Sequence, residues 1–184
     1  MTDGQAPAEY EALRTTIRER GTWRVGLAWL SLAVWAALIA AAAARSSVFA
    51  SLASLVALAA GFEGVYALHV GVERIGRYLQ VFYEASTGLP AWERTAMAYG
   101  RNRQGSGLDP LFSKLFAAAT LLNLMPAVIG RRTGLMLVGV TAHAVFVARI
   151  VQARRYVAKQ RAADLERFQG LKETGGSGQE IVGS

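Results

Sequence analysis

The chain has 184 residues, 53% of them apolar and only 18% charged, and its mean hydropathy is +0.26. A soluble domain usually carries about 25% charged residues, and here the charges gather in short Arg-rich stretches between long uncharged runs. This pattern excludes a water-soluble enzyme and a disordered chain. The absence of cysteine excludes disulfides, thiolate metal sites and a Cys nucleophile. Seventeen Arg against three Lys, with 33 Ala, fits a GC-rich, bacterial coding sequence.

Ahead of the first apolar run, Tyr10, Leu13 and Ile17 recur at helical spacing among Glu9, Glu11, Arg14 and Arg18. The expectation is a short amphipathic helix resting on the inner leaflet, with Gly21 as a break after it. The first run, Val25 to Ala44, has twenty uncharged residues. At about 1.5 Å per residue it crosses a hydrocarbon core of roughly 30 Å. A cleaved signal peptide is the competing reading, but the long head with Asp3, Glu9, Glu11 and Glu19 argues against it.

The second run, Val48 to Val72, is interrupted only by Glu63, and its helical spacing continues to about Glu84. Glu73 and Arg77 form an i,i+4 pair on that extension, where their plain role is to solvate a helix leaving the bilayer. After Pro90 a short helix over 91–99 is expected, followed by a basic, Gly-rich turn over 100–107. That turn lacks the Gly-Lys-Ser/Thr ending of a phosphate-cradling loop.

The third run, Leu111 to Gly130, follows Asp109-Pro110, a helix-start pair. Lys114 can snorkel from its entry, and Pro126 should kink or loosen its last turn. The fourth, Thr133 to Ala148, covers only about 24 Å and reaches spanning length if Arg149 snorkels to the headgroups. A helical continuation to about Lys172 is expected, with Leu165, Phe168 and Leu171 along one side.

The expected fold is therefore all-α: a polytopic integral membrane protein with a four-helix bundle and cytoplasmic helical extensions. Its spans lie at about 25–44, 48–72, 111–130 and 133–151. Residues 1–172 form one membrane-embedded domain, and 173–184 a disordered Gly/Ser-rich tail. Sixteen Arg and Lys fall before span one, between spans two and three, or after span four, against three in the two short connections. Both termini are accordingly expected on the cytoplasmic side, most simply of a bacterial inner membrane. The net charge of +7 then reflects topology and anionic-lipid contact, and no nucleic-acid partner is expected. Arg74, Arg77, Arg101, Arg103, Arg154 and Arg155 are the candidates for lipid headgroups or a partner's acids.

Three polar residues inside the spans could carry chemistry. Glu63 lies about 22 Å from the outer end of its helix, where a charge costs roughly 2.5–3.5 kcal/mol on insertion scales. It is either a proton, cation or partner site, or a carboxyl bonded to Tyr66, a neighbouring helix or a snorkelling Arg. His143 sits about 14 Å from its outer end, with Asn123 at a similar level. It could ligate haem or chlorophyll, or it could bond Asn123 or Thr141 and join two helices. His69 lies some 18 Å deeper than His143, which disfavours a shared haem. Small residues recur at Ala36, Ala40 and Ala44, at Ala53, Ala57 and Gly61, and at Ala60 and Gly64, as close helix packing requires.

Hydrolase, kinase, metalloprotease and dinucleotide signatures are absent from the sequence. No enzyme activity or metal is expected, and haem or chlorophyll on His143 is the one cofactor possibility. The functional expectation is a non-catalytic membrane protein: an accessory, scaffolding or regulatory subunit that contacts other membrane subunits or copies of itself. The alternative is a small transporter or channel-like protein with Glu63 as its proton or cation site.

Overall fold

The structure is a computed structural model that describes residues 5–45, 48–83, 110–129 and 133–180. The described residues form four α-helices and no strand: α1 Gln5–Arg45, α2 Val48–Phe82, α3 Pro110–Ile129 and α4 Thr133–Glu180. Three of them are long and apolar enough to cross a membrane, and α3 contributes a shorter apolar stretch, Leu111–Met125.

Most of the apolar stretch of each long helix faces outward. Only 17%, 33% and 28% of the most apolar windows of α1, α2 and α4 are buried. Trp23, Phe49 and Leu137 are each at least 66% exposed. Large contiguous apolar surface of this kind marks an interaction with lipid or protein.

Helix α2 is central and touches α1, α3 and α4, whereas α1 and α4 do not meet among the described residues. The core gathers around Phe62, which is fully buried. Its ring meets Phe116 of α3 edge-on at 5.6 Å and Phe146 of α4 edge-on at 5.8 Å, and stacks on Tyr66 at 6.2 Å. Edge-to-face pairs of this separation use the ring quadrupoles favourably. Leu55, Leu58, Val65, Phe112 and Ile150 complete the cluster.

Glycines set the closest approach, between α1 and α2. A methyl group at Gly61 would fall inside Ser31 of α1, and one at Gly64 would lie 2.6 Å from Leu27 Cδ2. Gly61 and Gly64, one on each side of Glu63, therefore form the seat of α1. The stripe at Ala36, Ala40 and Ala44 points outward instead.

Two sequence expectations about the ends differ from the structure. Helix α1 runs unbroken through Gly21, so no separate amphipathic helix exists. Its first turns are held on the α2 extension, where Tyr78 Oη donates to Glu9 Oε1 at 3.0 Å and Tyr10 packs on Tyr83 at 5.6 Å. These contacts offset the roughly 1 kcal/mol that a helix-interior glycine costs. Helix α3 runs through Pro126 to Ile129, within the expected span. The tail expected to be disordered from residue 173 is helical as far as Glu180. There Thr174 Oγ1 bonds the Gly170 carbonyl at 2.9 Å, and elongation adds one backbone bond per residue to a helix already long. The short helix and turn expected over 91–107 lie outside the described residues.

Candidate functional site

Glu63, Asn123 and His143, the polar residues singled out within the apolar runs, fall into two constellations. The first centres on Asn123 of α3, which is fully buried. Its Oδ1 accepts from Trp35 Nε1 of α1 at 3.1 Å and from Ser54 Oγ of α2. Its Nδ2 donates to the Ser51 carbonyl at 2.8 Å and to His143 Nε2 of α4 at 2.9 Å. Ser51 Oγ returns a bond to the Asn123 carbonyl at 2.7 Å. An amide side chain has two donor hydrogens and two acceptor sites, and here all four are used.

His143 is fixed by the same logic. Its Nδ1 lies 2.7 Å from the Gly139 carbonyl, which can only accept. Nδ1 therefore carries the proton, and Nε2 is the acceptor facing Asn123. Both ring nitrogens of this buried histidine are engaged within the chain. One network thus ties together all four helices through Trp35, Ser51, Ser54, Asn123 and His143.

The second constellation pairs Glu63 with Arg149 across α2 and α4. Arg149 Nε lies 2.8 Å from Glu63 Oε1 and Nη2 lies 2.8 Å from Oε2, a two-pronged contact. The guanidinium also sits over the Tyr66 ring at 5.1 Å. Fork-to-fork pairing is the strongest geometry available to these groups. Arg149, expected to reach toward headgroups, instead gives its charge to Glu63. The pair lies at the bundle surface, with the carboxylate side chain 45% exposed.

A third cluster occupies the extensions beyond residue 72. Glu73 Oε2 receives Arg77 Nη2 and, at 2.8 Å, Arg161 Nη2. Arg77 Nε donates to the Arg161 carbonyl at 3.2 Å, and Arg74 faces Asp164 at 3.6 Å. Arg77 was expected at a headgroup or partner surface. It is 1% exposed, and the chain itself takes its donors. Burial pulls its guanidinium below the ordinary value, and the Glu73 carboxylate opposes that shift. Arg74 and Arg155 are exposed and Arg154 is half-buried, while Arg101 and Arg103 lie outside the described residues. Farther along, Tyr78, Phe82, Tyr83 and Phe168 pack their rings together. Burial there pushes the Tyr83 hydroxyl well above its usual range.

His69 stands apart from His143. It is buried, and its Nδ1 meets Arg24 Nη1 of α1 at 2.9 Å. Since Arg only donates, Nδ1 is the acceptor. No group of three His, Cys, Asp or Glu side chains comes together as a metal site among the described residues. Trp35, Ser51 and Ser54 were not singled out from the sequence, because one Trp or Ser within an apolar run is ordinary. Only Ser54 could have been matched by counting: it lies six residues from the start of α2, as Asn123 lies six from the end of α3.

Comparison with known proteins adds no relative: no family model, curated protein or solved structure matches the chain.

Proposed function

We propose that this chain is an integral membrane protein with four spans and both termini on the cytoplasmic side, acting as a non-catalytic subunit. Its role is to build, anchor or regulate a membrane assembly, made with other subunits or with further copies of itself. The apolar exposed faces of α1, α2 and α4 support insertion, and the distribution of Arg and Lys supports the orientation.

The observation that carries the functional reading is the Asn123 network. In lipid, hydrogen bonds between helices replace the hydrophobic force that joins them in water. Here the buried polar side chains of four helices bond one another, so their evident work is cohesion. The Glu63–Arg149 pair supports the same reading, because a carboxylate held by two prongs is neutralised without a transported cation. A transporter using Glu63 would have to break that pair in each cycle. A haem or chlorophyll on His143 would have to displace Asn123 from Nε2.

The test is a native mass measurement on the protein extracted from its own membranes in mild detergent. A particle holding other polypeptides, or a defined homo-oligomer, is the expected result. A monomer that carries out pH-dependent flux, abolished by Glu63→Gln with abundance unchanged, would replace this reading with the transporter.

A further inference from the structure

Helices α1 and α3 meet only at a few positions, and between them runs an open apolar groove of about 430 Å³. Trp29, Trp35 and Ala36 line one wall, and Leu115, Ala118 and Leu122 the other. Both helices advance together: Arg24 lies over the Phe112 ring at 5.4 Å, and Trp35 meets Asn123 at 3.1 Å. From its first to its last lining residue the groove advances seven positions on each helix, so it is about 10 Å long.

Its ends differ in charge. Lys114 is exposed and sits one helical turn before Ala118, on the stripe that continues to Leu122. Arg24 is at the same end, held by the neutral acceptor His69 and the Phe112 face, neither of which cancels its charge. Trp23, 71% exposed, lies beside it. The groove is thus an apolar channel with two cations and an indole at its cytoplasmic mouth, the polarity of a lipid with an anionic head.

We propose that this groove binds an acyl chain of an anionic phospholipid of the cytoplasmic leaflet, its phosphate drawn to Lys114 and Arg24. The proposal rests on the membrane reading above. An apolar partner helix would bring no counter-charge to Lys114 and Arg24. A second copy in the same orientation would bring its own Lys114 and Arg24 to the same depth, and like charges would repel. An acyl chain is thin enough to lie along the groove, and its headgroup answers the charge.

The experiment uses the full chain, with Trp23→Phe and Trp92→Phe so that the groove tryptophans report. It is reconstituted in vesicles of phosphatidylcholine and phosphatidylglycerol, one of the two brominated on its acyl chains at a time. Contact between a brominated chain and Trp29 or Trp35 quenches fluorescence. The expected preference for phosphatidylglycerol is at least about fivefold, what one nearby cation provides at a membrane surface. Lys114→Gln should lower it about fivefold and Lys114→Gln with Arg24→Gln should bring it close to one, whereas Ala118→Phe, which fills the groove from an exposed position, should reduce quenching by both lipids. A ratio near one in the parent protein overturns the proposal, as does a preference that survives both charge variants. No quenching by either lipid would overturn the membrane reading as well.

Discussion

The two guanidinium prongs of Arg149 close on the two carboxylate oxygens of Glu63, each at 2.8 Å, between α4 and α2. Glu63 lies fifteen residues past the start of α2 and Arg149 sixteen past the start of α4. Both side chains therefore lie roughly 22–24 Å along their helices from the start. Two charges that would each be costly in an apolar layer become one neutral pair.

Breaking this pair should cost more than deleting it. Glu63→Gln or Arg149→Gln leaves one charge in the apolar layer, and each should destabilise by about 2–3 kcal/mol. The double variant should lose clearly less than the sum. Denaturant unfolding in mixed micelles, run as a double-mutant cycle, checks this; additive losses would mean the pair does not form.

Asn123→Leu should be the most damaging change in the apolar layer. It strands Trp35 Nε1 and His143 Nε2 and removes the bonds to Ser54 Oγ and the Ser51 carbonyl, though Ser54 Oγ keeps the Ser51 carbonyl as acceptor. Interhelical hydrogen bonds in membrane proteins average about 0.6 kcal/mol each, so a loss of about 2 kcal/mol is expected. His143→Ala should cost less, since Asn123 Oδ1 keeps both of its donors. A smaller effect at Asn123 than at His143 would contradict the hub.

Much of this was legible in the sequence, and the rest failed for identifiable reasons. The four apolar runs match the four helices because an uncharged stretch of that length is a strong signal. Asn123 and His143 could be placed at one level from residue counts, and the structure joins them. The depth match between Glu63 and Arg149 was equally countable. Arg149, however, stands at the edge of its run, where snorkelling to headgroups is the simpler expectation. Arg77 reads as a surface partner of Glu73 until α4 arrives, and only tertiary packing brings Arg161 and Asp164 over it. Gly21 signals a break locally, yet the ring contacts of Tyr10 and the carboxylate of Glu9 keep α1 straight from outside that window.

The two kinds of helix glycine should respond oppositely to alanine. Gly61→Ala forces a methyl into Ser31 and should destabilise by about 1–3 kcal/mol, as overpacking does; Ser31→Gly should recover part of that. Gly21→Ala meets open space and should stabilise by about 0.5–1 kcal/mol. Thermal unfolding of the four proteins side by side checks both signs.

The extension cluster predicts a further asymmetry. Glu73→Gln leaves Arg77 buried without its carboxylate and should cost about 3–5 kcal/mol in the stability of that region. Arg161→Gln should cost less, because Arg161 is partly exposed and Glu73 retains Arg77. Amide exchange across residues 73–82 and 157–165 reads the difference; equal protection in both variants would contradict it.

Tyr83 adds a pH dependence. Its hydroxyl titrates above the ordinary 10.0 because burial disfavours the phenolate, so the folded extension keeps a proton that the unfolded segment gives up. Its contribution is full below about pH 10 and falls as pH rises beyond that value. Absorbance at the phenolate band should show this late titration, and Tyr83→Phe should shrink it, Tyr78 also being raised by burial, while leaving the extension folded.

The most direct test concerns the membrane path itself. The chain has no cysteine, so single cysteines can be introduced without background and labelled with a membrane-impermeant maleimide. Gly170→Cys lies on the exposed α4 extension, with nothing near it, and Ser46→Cys lies in the connection between α1 and α2. In intact cells Ser46→Cys should label and Gly170→Cys should not, and Gly170→Cys should label once the membrane is opened. Labelling of Gly170→Cys in intact cells, or recovery of the chain outside the membrane fraction, would contradict the four-span arrangement with both termini inside.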